Sequence, residues 1–173
     1  MLGMVKLDAS RTFFMYYSGT TVYGRVGTLT LDTMAFGTEV TFGTGALGPM
    51  YGGCCEIGTN KIVVVWSDGT TASANNSNHI VLTISGTTIT VNTTYTYSMP
   101  NVGGAVKPIQ TVCKVRTDCY AWGYFTVNQQ NCFINSVSGT VITINSTPFI
   151  SVTTNLANFN GVYLSDNLIG FPV

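Results

Sequence analysis

Apolar residues fall in short runs along this chain, and a threonine-rich alternation follows most of them at a near-constant distance. The runs are FFMYYS (13–18), KIVVVWSDG (61–69), CYAWGYF (119–125) and GVYLSD (161–166). A continuous apolar run of this length, bounded by turn residues, predicts a strand buried on both faces. Downstream of the first three, TLDTMAFGTEVTF (30–42), SGTTITVNTTYTY (85–97) and SGTVITINSTPFI (138–150) align without a gap at offsets of 55 and 53 residues. Each copy reads as a polar turn, a β-branched strand, a second turn at Gly37, Asn92 or Asn145, and another strand. Glycine and asparagine tolerate the positive φ of a two-residue hairpin connection, so this copy is expected to be an outer hairpin. Between run and hairpin lies a further strand candidate: TVYGRVGTL (21–29), HIVLTIS (79–85) and CFINSVS (132–138).

Each unit therefore offers about four short strands, with the apolar run first and innermost and the hairpin outside. Threonine suits the outer position because its branched Cβ favours extended backbone while its hydroxyl faces water. The segments 43–59 and 98–111 hold much of the Gly and Pro and read as loops between units. No stretch has the 3.6-residue apolar period of a helix. The expected fold is all-β: a single domain of repeated four-stranded antiparallel sheets, β-propeller-like, in about three and a half repeats at roughly 5–42, 58–97, 113–150 and 158–173. The fourth unit lacks its outer strands, and an unfinished sheet leaves an unpaired edge. The missing strands can come from the N-terminus of the same chain or from another subunit; with so few charges guarding the edge a neighbouring copy is the expectation, hence a homo-oligomer.

Composition narrows the function. Only 8% of residues are charged and the formal net charge is zero, which removes the electrostatic footprint of a nucleic-acid binder. A surface of Thr, Ser, Asn and Gly, partly covered by other subunits, fits so few charges better than a lone monomer does. The first 20 residues lack the apolar core of a signal peptide, and no run of about 18 apolar residues predicts a membrane span. The five cysteines are irregularly spaced and accompany one histidine, which is neither a zinc pattern nor a secreted disulfide framework. Buried thiols made in a reducing compartment are expected.

The hairpin wording, Ser-Gly-Thr-x-Ile-Thr followed by a threonine-rich strand, together with KIVVVWSDG, resembles degenerate repeats of bacteriophage tail-fibre, appendage and other virion structural proteins, and of some bacterial surface proteins. The likeness covers about two thirds of the chain. The first copy departs from it with Leu31-Asp32 in place of Gly-Thr, and CYAWGYF lacks the Ser-Asp ending. The resemblance implies a virion component, assembled in the host cytoplasm, in contact with other virion proteins. It carries over no catalytic residue.

Candidate chemistry is sparse. His79 is the only histidine and reads as a strand-start residue at a loop edge. WSDGTT (66–71) has a passing likeness to a sialidase turn, but its spacing fits a β-turn better, with Asp68 bonding local backbone. A glycosidase needs two carboxylates on one cleft, and the seven acids (Asp8, Asp32, Glu39, Glu56, Asp68, Asp118, Asp166) are spread along the chain, which leaves such a pairing open to the fold. GTGALG (43–48) lacks the lysine and helix of a phosphate loop. No metal or cofactor is expected, and the three Asn-x-Ser/Thr sequons at Asn75, Asn92 and Asn145 follow from Asn and Thr abundance. Aromatic residues of the inner runs, Trp66 and Trp122 among them, are assigned to the core. Tyr51, Asn75, Asn76, Asn78, Gln129, Gln130 and Asn131 form the candidate recognition surface, because repeated sheets display their loops together. The expected function is a non-enzymatic virion subunit, appendage, fibre or capsid-decorating, that oligomerises and presents loops for host attachment. A carbohydrate-binding module that contacts host-surface glycans is the alternative, and a glycosidase comes third.

Overall fold

A computed structural model describes residues 2–44, 52–68, 76–99, 109–126, 129–148, 150–152, 162–165 and 168–170. Among the described residues every regular element is a strand. The first sheet holds β1 (Gly3–Lys6), β2 (Arg11–Ser18), β3 (Thr21–Thr30), β4 (Thr33–Phe36) and β5 (Val40–Thr44). The second holds β6 (Gly52–Gly58), β7 (Lys61–Ser67), β8 (Asn76–Ser85) and β9 (Thr88–Ser98). The third holds β10 (Ile109–Arg116), β11 (Cys119–Thr126), β12 (Gln129–Ser138), β13 (Val141–Thr143) and β14 (Ile150–Val152); β15 (Val162–Ser165) and β16 (Leu168–Gly170) pair by themselves. All pairings are antiparallel between sequence neighbours, except that β5 and β14 return to β3 and β12.

The all-β repeat of antiparallel sheets is therefore present, with two changes inside each unit. First, the apolar runs (β2, β7, β11) are second strands. Strands β1, β6 and β10 precede them, and these lie side by side, β6 between β1 and β10, with β15 next to β10. They are the inner strands, and segments 43–59 and 98–111 are consequently not loops throughout. Small residues permit this approach: a Cβ on Gly3 would stand 2.8 Å from Cys54 Sγ, and one on Gly53 would stand 3.2 Å from Val112. The sequence reading missed these strands because Gly and Cys, which the close packing needs, are weak strand signals.

Second, Gly37, Asn92 and Asn145 mark interruptions rather than hairpin turns. In the second sheet Leu82 pairs Val91 and Ile80 pairs Thr94, so two steps along β8 face three along β9. In the first, Gly27 pairs Phe36 and Gly24 pairs Val40, three steps against four. In the third, Ser136 pairs Thr143 and Cys132 pairs Ile150, four steps against seven. The outer strand continues along the same neighbour past a bulge, and each sheet is in effect four-stranded. Gly37 N–H donates to Val26 O at 2.9 Å and Asn92 Nδ2 donates to Val81 O at 2.8 Å, which satisfies carbonyls beside the break. Residues that tolerate unusual backbone serve a bulge as well as a turn, so composition did not separate the two.

The hairpins repeat faithfully. Leu31, Gly86 and Gly139 stand first in the two-residue loops after β3, β8 and β12, with φ of 55°, 59° and 62°. Leu31-Asp32 thus makes the same turn as Gly-Thr, without a glycine. The amides of Leu29, Ile84 and Val137 donate to the carbonyls of Ser10, Asn60 and Asp118, one equivalent bond per sheet.

The sheets stack in chain order, propeller-like, with two cores between them. Phe13, Met15, Val22, Val26 and Phe42 meet Ile62, Val64, Trp66, Ile80 and Leu82 between the first and second sheets. Val63, Val65, Val81 and Met99 meet Tyr120, Trp122, Tyr124, Phe133 and Val137 between the second and third. Because strand side chains alternate, β7 is buried on both faces, as expected, and β2 on one only. A third cluster, Cys113, Val115, Cys119, Ala121 and Cys132, lies on the far side of the third sheet.

Candidate functional site

The most reactive-looking arrangement joins the second and third sheets. Ser77 Oγ lies 2.9 Å from His79 Nε2, and His79 Nδ1 lies 2.9 Å from Tyr120 Oη. Asn135 Nδ2 donates to Tyr120 Oη at 3.0 Å, and Asn145 N–H donates to Asn135 Oδ1 at 3.0 Å. The assignment that lets the chain run in one direction has Asn135 donating to Tyr120, Tyr120 to His79 Nδ1, and His79 Nε2–H to Ser77. A Ser–His contact at this distance is what an activated nucleophile requires. Here, however, Ser77 and His79 are both 0% exposed, and a phenol rather than a carboxylate holds the far ring nitrogen. Burial holds the imidazole down to about 3, so it stays neutral. The chain works as an inter-sheet tie. His79 is not at a loop edge: it sits inside β8, paired with Val65 and Tyr95 and edge-on to Trp122 at 4.7 Å.

The proposed recognition residues do not gather on loops. Tyr51 and Asn75 lie outside the described residues. Asn76 and Asn78 open β8, and Gln129, Gln130 and Asn131 open β12. Asn76 closes the loop after β7, its amide and Nδ2 donating to Asp68 at 2.9 and 3.2 Å. Asn78 is buried and accepts from Thr96 Oγ1 at 2.9 Å, and Asn131 is buried too. Asn76 and Asn78 are thus engaged within the sheet, because the strands begin earlier than the apolar pattern suggested.

Asp8 and Asp118 are likewise engaged. Asp8 accepts from the amides of Ser10 and Arg11 and from Arg11 Nε, at 2.9, 2.8 and 2.7 Å. The Ser10 amide first, and Arg11 after it, hold this carboxylate down to about 2. Arg11 also reaches across to the second sheet, to Gly86 O at 2.7 Å and Asn60 Oδ1 at 3.3 Å. Lys61, the equivalent first residue of β7, stands 3.6 Å from Asp118 of the third sheet. Asn60 and Asp118 are equivalent turn residues with φ of 57° and 56°, so one cation-to-turn contact recurs at both junctions. Among the described residues no three His, Cys, Asp or Glu come together as a metal site, and no helix is long and apolar enough to cross a membrane. The five cysteines are unpaired; burial pushes Cys54 and Cys132 up to about 12 and Cys113 up to about 11, so these thiols are protonated and unreactive.

Among the described residues, an open face rich in aromatic side chains lies on the outer side of the first sheet. The register places Met4, Phe14, Arg25 and Tyr16, Tyr23 on one side of β1, β2 and β3, with Phe36 and Met34 continuing it on β4. Met4 is 61% exposed and Phe36 51%, with Phe14, Tyr16, Tyr23 and Arg25 half-buried among their neighbours. Phe14 meets Phe36 edge-on at 5.6 Å, Tyr16 stacks on Tyr23 at 5.7 Å, and the Arg25 guanidinium lies 5.4 Å above Phe36. Tyr16 Oη donates to Glu39. Gly27 makes room below: a Cβ there would stand 2.9 Å from Met34 Sδ and 3.0 Å from Phe14. Phe14, Tyr16, Arg25 and Phe36 line a depression of about 270 Å³.

The register also identifies this face. Counting from the turn before each apolar strand, Phe14 corresponds to Val64 and Trp122, and Tyr16 to Trp66 and Tyr124. Those four equivalents are 0 to 4% exposed, each packed on the preceding sheet. Sequence reasoning assigned Phe14 and Tyr16 to the core because FFMYYS is apolar at both parities. The available signal was Arg25, a charge in mid-strand at the parity of Tyr23, which the second sheet does not repeat. No family model, curated protein or solved structure matches this chain.

Proposed function

We propose that this chain is a non-enzymatic structural subunit that acts by assembling with further protein, the part a virion appendage, fibre or capsid-decorating subunit plays. The observation that carries this reading is the open face of the first sheet, whose aromatic residues occupy positions that are buried between sheets elsewhere in the chain. The polar groups with any resemblance to catalytic machinery are spent on joining sheets, and the low charge of the surface favours cover by protein. The virion setting rests on the repeat resemblance alone. Negative-stain images and mass photometry of the purified protein at tens of micromolar test the assembly reading. Rings or fibres of more than one chain are expected; a population of single chains only would overturn it.

A second reading, a carbohydrate-binding module, draws on the same aromatics, since Phe36, Tyr16 and Tyr23 offer ring faces beside Arg25 and Glu39. It shifts the ligand surface from the loops to the sheet. A glycan array with wild type and Phe36→Ala decides it, because a sugar stacked there loses affinity in the variant.

A further inference from the structure

We propose that the junction between the second and third sheets is an acid-opened joint, at which protonation of His79 releases the third sheet while the first two sheets stay packed. The proposal goes beyond the assembly reading and does not depend on it.

The two junctions differ in what they enclose. The first is closed by side chains such as Phe13, Met15, Ile80 and Leu82, and none of its buried residues takes up a proton. The second encloses the single histidine of the chain, 0% exposed.

Hydrogen bonding there leaves no place for a second ring proton. Asn135 Nδ2 donates to Tyr120 Oη at 3.0 Å, the Tyr120 hydroxyl donates to His79 Nδ1 at 2.9 Å, and Nε2–H donates to Ser77 Oγ at 2.9 Å. A proton added at Nδ1 points at that hydroxyl proton, so the phenol must turn its O–H away from the acceptor it has. The added charge would also lie inside an apolar core, edge-on to Trp122 at 4.7 Å. The groups facing the ring are Val65 from β7, Tyr95 from β9, and Tyr120 and Trp122 from β11. Two phenols are thus the titratable neighbours, and phenols bring no negative charge in acid. Cys55 of β6, in the same core, stays a neutral thiol because burial pushes it up. Lys61, paired with Asp118 at 3.6 Å, lies four residues along β7 from Val65.

Opening relieves both conflicts. Burial holds His79 down to about 3, against about 6.5 for an imidazole in water. Between those values the open form takes up a proton that the closed form does not, so the ratio of open to closed rises about tenfold for each pH unit lost. The first junction has no such linkage. Arg11, which reaches across it to Gly86 O at 2.7 Å, is held in place by Asp8, and that carboxylate stays charged down to about 2. Sheets that pack only on their neighbours can part at one junction and hold at the next.

The test is hydrogen exchange read by mass spectrometry on the full-length chain from pH 7 to pH 4, corrected at each pH for the intrinsic rate. The opening constant of β11 and β12 should rise about tenfold per pH unit below about 6.5, while that of β2 and β3 stays within about threefold. Protection lost in step by both sheets, or by neither, would overturn the joint. His79→Gln takes up no proton in this range, so it should remove the pH slope from β11 and β12 whatever it does at pH 7. A slope that persists in this variant would overturn the role of His79, and the wild-type comparison decides the matter even where the variant does not fold.

Discussion

Phe14 and Trp122 occupy the same place in their sheets, and their surroundings are opposite. Trp122 is 0% exposed, stacked on Phe133 at 4.8 Å and edge-on to Tyr97 and His79 at 5.7 and 4.7 Å. Phe14 meets Phe36 edge-on at 5.6 Å and is half-buried within its own sheet, with no other sheet packed over it among the described residues. This repeat position thus carries an aromatic in the first and the third sheet, and only the third has a described sheet packed over it. The difference teaches that burial here belongs to the stack and not to the sheet: a sheet acquires its second core face only when a neighbour arrives.

The sharpest test of that contrast is a pair of truncations at equivalent positions. Trp122→Ala removes a large ring from the junction of the second and third sheets and should destabilise by about 3–5 kcal/mol. Phe14→Ala, measured on dispersed single chains, should lose no more than about 1 kcal/mol. Urea unfolding of both variants gives the comparison, and similar losses would mean that the outer face is packed as a core already.

Acid should discriminate between the regions next. His79 is held down to about 3 by burial at the second junction, against an ordinary value near 6.5 once the chain unfolds. Between those values the unfolded state binds the proton and the folded state does not, so its contribution is intact above pH 6.5 and declines as pH falls toward 3. The decline amounts to several kcal/mol in all. Asp8, held down to about 2 mainly by the Ser10 amide, adds a loss only below about pH 4. Replacement of the single histidine by glutamine should flatten the stability profile between pH 6 and 4, as read by urea unfolding at each pH. A slope that survives in His79→Gln would place the acid-sensitive group elsewhere.

The smallest expected effect runs in the stabilising direction and concerns the first sheet's turn. Leu31 adopts a φ of 55° and is 91% exposed, where its counterparts Gly86 and Gly139 adopt 59° and 62°. A left-handed conformation costs an L side chain about 1–2 kcal/mol, partly offset by the greater entropy that glycine loses on folding. Leu31→Gly should therefore raise stability by about 0.5–1 kcal/mol, and Gly86→Leu should lower it by a similar amount. Thermal unfolding of the two variants would show opposite shifts in Tm; shifts of the same sign would break the equivalence of the turns.

Much of the fold was legible. The apolar runs, the strands after them and the repeat offsets all depend on local alternation and β-branching, which the chain displays directly. The offsets of 55 and 53 recur in the backbone bonds from Leu29, Ile84 and Val137. The inner strands were not legible, because what places Gly52, Gly53, Cys54 and Cys55 in β6 is the closeness of β1 and β10, a relation between distant segments. The bulges were hidden for a related reason. A threonine-rich strand carries no mark of which neighbour it pairs with, and Asn92 reads as turn-forming whether the chain reverses or only steps. The candidate site fared worst. Loop-like polarity singled out Asn76, Asn78 and Asn131, whereas the strands tie Asn76 to Asp68 and Asn78 to Thr96 and bury Asn131.

Alone, the order of residues determined that this protein is built of extended strands in repeated units with little charge, since propensity, alternation and composition are local properties. Only the tertiary structure decided which face of each strand is covered. In a stack of sheets, the burial of Phe14 or Trp122 depends on whether another sheet lies against it, and no pattern within one strand contains that information.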